Sequence, residues 1–190
     1  MSDYPCRMTE IWPVEPPVAG TEQEHLVGML DRLRATFRWK AGGLDAEQLA
    51  RRTTTSALTL GGLLKHLTYV EDIKLSWAFE QEPGEPWRSV DWDADPDWEF
   101  RTAALDSPAE LYSRYDRAVS TARRRLTELL DEGGLDMPTA RQWQGQTVLL
   151  RRIVCDLVEE YGRHTGHADL IREAIDGLVG EDPPEGWQPS

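Results

Sequence analysis

Glu160, His164 and His167 interrupt a helical stripe that is otherwise apolar, and their side chains are the best equipped for chemistry in this sequence. The stripe reads Leu150, Ile153, Leu157, Glu160, His164, His167, Ile171 and Ala174, in steps that alternate three and four. Such steps keep side chains on one face of an α-helix. A carboxylate and two imidazoles on an inward face are costly unless they are paired or bind a metal. Spacings of four (Glu160 to His164) and three (His164 to His167) each bring two donors within reach of one ion. A second segment repeats the pattern, with His66 among Leu63, Val70, Ile73 and Trp77. His66 completes a three-ligand set with an open position, the layout of a catalytic rather than a structural metal site. Nitrogen and oxygen donors suit Zn²⁺ first, then Ni²⁺, Mn²⁺ or Fe²⁺, and no cysteine lies on this face to bias the choice. The plainer alternative is a core histidine at His66 and a simple Glu160–His164 hydrogen bond; spacing alone does not choose between them. His25, the remaining histidine, is given no role.

The elements that must position these residues are helices. Thr21 and Glu24 form a capping box ahead of Leu26, Leu30, Leu33 and Phe37. This predicts a first helix from about Glu22 to Trp39, ended by Gly42 and Gly43. Residues 44–58 read as a connection with a short helical turn at Asp45–Arg51. The second helix, carrying His66, is expected from about Thr59 to Glu80, stopped by Pro83, Gly84 and Pro86. A third starts at Ser107 and Pro108, turns Leu111, Tyr115, Ala118, Ala122, Leu126 and Leu129 inward, and ends at Gly133 and Gly134. The fourth, with the polar triplet, is expected over about Thr147 to Asp176, closed by Gly177. No strand alternation and no internal repeat is legible.

Residues 83–107 are acidic, broken by prolines, and hold Trp87, Trp92 and Trp98. Such a segment is either a functional loop or a crossover pinned to the bundle by its tryptophans. It is long enough to cross a bundle, so simple up-down-up-down topology is not assured. The expected organisation is an extended, proline-rich leader (1–20), an all-α domain (21–178) and a flexible tail (179–190) rich in Pro, Gly and acids.

A chain of 190 residues, 39% hydrophobic and 29% charged, is long enough for one soluble domain with a sizeable core. A net charge of −13 argues against nucleic acid and against an anionic membrane surface as partners. No apolar run approaches the ~18 residues of a membrane span. The first residues, MSDYPCRMTEIWPVEPP, lack the basic and apolar regions of a secretory signal, so the cytoplasm is expected. A disulfide between Cys6 and Cys155 is not expected in a reducing cytosol. Cys155 lies off the polar stripe and reads as a packing residue. Of 21 Lys and Arg residues only Lys40, Lys65 and Lys74 are lysines, which, with eight tryptophans, is the composition of a high-GC genome.

Two stretches resemble a known family. Residues 159–173 (EEYGRHTGHADLIRE) resemble the last-helix signature of the DinB-like superfamily, and residues 60–71 (LGGLLKHLTYVE) its second-helix signature. The resemblance covers about residues 20 to 178 and is closest to the actinobacterial branch. It implies a four-helix bundle with a long crossover loop and a divalent metal held by three side chains. Many relatives place two His four apart on the last helix; here the earlier position is Glu160. The Glu-x-x-x-His pair is similar to that of mycothiol-dependent maleylpyruvate isomerases of the same superfamily. His66, Glu160 and His164 are therefore the first-choice ligands, with His167 a fourth ligand or a replacement for Glu160.

The activity implied is that of a metal-dependent S-transferase or isomerase using mycothiol or bacillithiol; the high-GC composition favours mycothiol. A metal lowers the pKa of a bound thiol and holds the nucleophilic thiolate at neutral pH. The expected partners are a low-molecular-weight thiol and a small-molecule electrophile, and a homodimer is an open possibility. Arg163 and Arg172 are read as solvated helix charge, with contact to carboxylates of a thiol cofactor as the alternative. Two other functions compete. A metal-dependent hydrolase would need Glu160 or Glu71 free as a base. A non-catalytic metal-binding stress protein would need neither thiol nor base. Thiol-dependent turnover of a chlorinated nitrobenzene against thiol-independent ester hydrolysis separates the two enzymes.

Overall fold

Four long helices form where a cap and an apolar stripe coincide. The computed structural model describes residues 15–53, 55–79, 81–184 and 187. The leader's residues 1–14, Cys6 among them, lie outside these. Helix α1 (Glu22–Ala41) begins at the expected capping box, with Thr21 accepting from the Glu24 amide. A short α2 (Ala46–Leu49) follows, capped by Asp45. Helix α3 (Leu60–Ala78) has Thr59 as its N-cap. The segment expected to be irregular contains the short α4 (Trp98–Thr102). Helix α5 (Pro108–Gly133) carries a second full capping box, between Ser107 and Glu110. Helix α6 (Leu150–Asp176) ends at Gly177, whose φ of 79° is the left-handed conformation that closes helices. Helix α6 packs on α1 and α3, and α5 packs on α3. Among the described residues no helix is long and apolar enough to cross a membrane.

Most of the expected inward faces are buried, while Leu26, Leu33, Ile73 and Trp77 are half-buried. Leu30, Phe37, Leu63, Val70, Leu111, Tyr115, Ala118, Ala122, Leu126 and Leu129 all belong to the core. The C-terminal half of α1 is buried on every side, charged residues included. Arg34, Arg38 and Lys40 are each 2% exposed or less. They pair with Glu71, Asp116 and Asp169 respectively, as buried charges must.

One element corrects the sequence reading. An antiparallel hairpin, β1 (Pro138–Trp143) and β2 (Gln146–Leu149), occupies residues assigned above to a loop and to the start of the last helix. Helix α6 therefore starts at Leu150, not at Thr147. The turn places Gln144 (φ 50°) and Gly145 (φ 77°) both in the left-handed region, the backbone of a two-residue hairpin turn that matches strand twist. Gln-Gly is a weak version of the Asn-Gly signal. Only Thr139 of the ten strand residues is fully buried, so there was no inside–outside alternation to read.

The crossover is held by its tryptophans. Trp87 and Trp92 pack on Tyr69 of α3, with ring centroids 5.2 Å and 4.5 Å away. Trp98 stands edge-on to both other indoles. Trp87 Nε1 donates to Asp72 at 2.8 Å. Lys65 of α3 lies over the Trp98 ring and pairs with Asp106 at 2.6 Å, fixing the far end of the segment. At the C-terminus, Arg32 of α1 holds the Asp182 carboxylate at 3.0 Å.

Candidate functional site

Helix α3 and helix α6 bring His66, Glu160 and His164 together. Their nearest donor atoms all lie within 4.8 Å of one another. Glu160 Oε2 sits 3.7 Å from His66 Nε2 and 3.4 Å from His164 Nε2. The two imidazoles meet edge to face at 4.8 Å between centroids. Two donors bound at ~2.05 Å to one tetrahedral ion lie about 3.3 Å apart, so the spacing around Glu160 fits a shared divalent cation with little rearrangement.

His167 is not brought into this cluster. Its Nδ1 lies 3.3 Å from Nδ1 of His164, on the opposite side of that ring from the nitrogen facing Glu160. Helix geometry sets how deep each residue of the triplet lies. Steps of three and four average less than 3.6 residues per turn, so the stripe drifts around a straight helix. With Leu150 as origin and about 100° per residue, Leu157, His164 and Ala168 stay within about 40° of it. Glu160, His167 and Ala174 fall about 80°, 100° and 120° to one side. The packing follows the wheel: Leu157, His164 and Ala168 are buried, Glu160 and His167 half-buried, and Ala174 exposed. The cluster thus sits at the edge of the bundle, open on one side.

The sequence reading missed Glu99. This residue of α4 is 4% exposed and its Oε1 accepts from His66 Nδ1 at 3.0 Å. Phe100 stacks on the same imidazole at 4.8 Å. Glu99 Oε2 is buried with no hydrogen-bond partner among the described residues. A carboxylate behind a histidine is the usual means of orienting a metal ligand, since it fixes the ring and its tautomer. No spacing rule links Glu99 to His66, because the two meet through the crossover.

Burial pulls the His66 pKa down, but hydrogen bonds to Glu160 and Glu99 outweigh it and leave the pKa raised. Hydrogen bonds from His164 and then His66 hold the Glu160 carboxyl far below the usual carboxylate range, against the opposing effect of burial. His167 is shifted down by burial, helped by the neighbouring His164 and Arg163 charges.

Three other sequence readings change. Glu71 is not free to act as a base: both its oxygens accept from Arg34 at 2.7 Å, and Oε1 also accepts from the Tyr161 hydroxyl at 2.7 Å. Arg172 is neither solvated nor near the cluster. It is 8% exposed, and its Nη1 donates to the carbonyls of Lys40 and Gly42 at the end of α1. Cys155 is exposed rather than packed, because its place on α6 lies between the buried stripe and solvent. Arg163 remains an exposed helix charge, paired with Glu159 at 3.3 Å.

Comparison with known proteins supports the same reading. No curated protein matches the sequence. A conserved protein of Enterococcus faecalis shares the fold, with a TM-score of 0.63 at 15% identity over 84% of this chain and 100% of that one. The family model described as mycothiol-S-transferase matches residues 25–177, which run from the first turn of α1 to the end of α6 and hold every residue of the cluster. The chain therefore belongs to the mycothiol S-transferase family.

Proposed function

We propose that the chain is a metal-dependent mycothiol S-transferase acting on a small-molecule electrophile in the cytoplasm. His66, Glu160 and His164 would hold a divalent ion, zinc by preference, and His167 would steady the His164 ring from behind. The observation that carries this reading is the donor triangle backed by Glu99: two imidazole nitrogens and a carboxylate oxygen converge, and the rear nitrogen of one imidazole is already held. A divalent ion there would supply Lewis acidity, which lowers the pKa of a thiol brought to the cluster.

The chain's own residues do the rest by positioning. Glu99 and Phe100 fix the His66 ring from behind and from one face. The half-exposed Glu160 leaves one side of the cluster open to solvent, where a thiol and an electrophile can meet. In transfer, the sulfur bonds to the electrophilic carbon, the leaving group departs with the bonding pair, and the thiol proton passes to solvent. The hydrolytic alternative is weakened because Glu71, one of its two candidate bases, is committed to Arg34 and Tyr161.

The test uses protein purified without an affinity tag. Metal analysis is expected to return one divalent ion per chain, absent in His66→Ala and in His164→Ala with the helical circular dichroism retained. The Co²⁺-substituted protein is expected to gain a thiolate-to-metal charge-transfer band on addition of mycothiol. Stoichiometric metal with no such band and no thiol-dependent turnover of 1-chloro-2,4-dinitrobenzene would refute the transferase reading.

A further inference from the structure

A cavity of about 800 Å³ lies beside the C-terminal half of α3, the hairpin and the first turns of α6. Its volume falls in the range of small-molecule sites. It starts close to the metal cluster. Asp156 on its wall is one helical turn before Glu160, about 6 Å along α6, and Lys74 is two turns after His66, about 12 Å along α3.

The lining combines indole surface with positive charge. Trp77 is covered by two cations: Lys74 Nζ stands 4.6 Å and Arg141 Cζ 4.8 Å from its ring centroid. Trp143, 59% exposed, and Leu149, 39% exposed, add apolar wall from the hairpin. The carboxylate of Asp156 is already shared by Lys74 at 3.2 Å and Arg152 at 2.8 Å. Arg151 is engaged by Glu22 and Asp136. Arg141 meets no carboxylate among the described residues. An unneutralised guanidinium over an indole is out of keeping with a chain of net charge −13, in which acids outnumber bases. It is the arrangement that takes a flat apolar body carrying one anionic group, through a fork of donors and an aromatic face.

We propose that this cavity binds the electrophile, and that the electrophile class is aromatic or conjugated carboxylates, held by Arg141 against Trp77 and Trp143. The proposal rests on the transferase reading for its catalytic meaning but not for its binding. Mycothiol carries no carboxylate, so the charge selects the second substrate. With a chloronitrobenzoate, the thiolate sulfur bonds to the ring carbon, chloride leaves with the bonding pair, and the thiol proton goes to the buffer.

Calorimetric titration with 2-naphthoate and with neutral 2-naphthamide tests the site without any turnover. The carboxylate is expected to bind about tenfold or more tightly than the amide, the worth of one charge-assisted contact. Arg141→Gln, on an exposed strand position, is expected to bring the two within about twofold of each other. His66→Ala and saturating mycothiol are expected to leave naphthoate affinity unchanged. In turnover, Arg141→Gln is expected to raise KM for 4-chloro-3-nitrobenzoate about tenfold while leaving KM for 1-chloro-2-nitrobenzene unchanged. Equal binding of naphthoate and naphthamide, insensitivity to Arg141→Gln, or displacement of naphthoate by mycothiol overturns the proposal. So does a dimer that Trp143→Ser dissociates, with no naphthoate bound, since a second copy would then fill the cavity. Loss of turnover with all electrophiles while naphthoate still binds would instead strike at the transferase reading alone.

Discussion

Replacing Glu71 by alanine removes the only described carboxylate that holds Arg34 by two bonds, and it leaves a guanidinium 2% exposed in the core. Breaking a buried pair from one side costs about 3–5 kcal/mol. Asp31, 3.0 Å from Arg34 Nη1, still balances part of the charge and favours the lower end, about 3 kcal/mol. The Tyr161 hydroxyl loses its acceptor as well, worth about 1 kcal/mol. The expected sum of about 4 kcal/mol corresponds to a fall in Tm of about 8–16 °C for a domain of this size. Urea and thermal unfolding of the metal-free proteins measure it, since bound metal would add its own stabilisation. The double variant Arg34→Met, Glu71→Leu is expected to recover most of the loss. Glu71→Gln separates structure from chemistry: turnover per folded molecule is expected to stay unchanged. A Glu71→Ala protein within about 1 kcal/mol of the parent would refute the buried-pair reasoning. A Glu71→Gln protein of full stability with a collapsed kcat would restore Glu71 as a base.

Glu99→Ala is expected to weaken metal affinity about 10- to 100-fold by competition with a chromophoric chelator, with Glu99→Gln intermediate because it can still accept from His66. An unchanged affinity in both would mean that His66 needs no support from the crossover. Arg172→Ala leaves the Lys40 and Gly42 carbonyls without their buried donor and is expected to cost about 2 kcal/mol in urea unfolding, with metal content unaltered. Burial raises the Asp31 carboxyl pKa, but Arg34 and Arg123 outweigh it and leave it lowered. Its contribution is therefore complete above the unfolded value of about 3.9 and fades as pH falls through the lower folded value. The stability gap between the parent and Asp31→Asn is expected to be full at neutral pH and to close in acid; a gap that persists there would mean the carboxylate charge is not its source.

The helices were legible because local signals agreed: Thr21 with Glu24, Ser107 with Glu110, and Gly177 at the end of the polar helix are caps readable one turn at a time. His66, Glu160 and His164 were legible for the same reason, as polar interruptions of helical stripes. What escaped depends on contacts distant in sequence. Glu99 lies 33 residues from His66 along the chain, and its role exists only once the crossover is pinned. Arg172 looks like any helix charge until the end of α1, 130 residues away, offers it carbonyls. The hairpin escaped because its strands lie on the surface and show no alternation. His167 was legible in the same stripe, and it stands 3.3 Å from His164, beside the donor triangle and not in it.

Because His66 is gripped by Glu99 and Phe100 of the crossover rather than by its own helix, the proposed ion site and the crossover share one equilibrium. Anything that favours the formed His66–Glu99 contact must favour the docked crossover by the same free energy, and the reverse holds equally. The segment from Trp87 to Asp106 then acts as a reporter of occupancy. Its amides are expected to exchange with solvent more slowly when the site is filled. A substitution in that segment, far from any donor atom, is then expected to tune how long the proposed ion is retained.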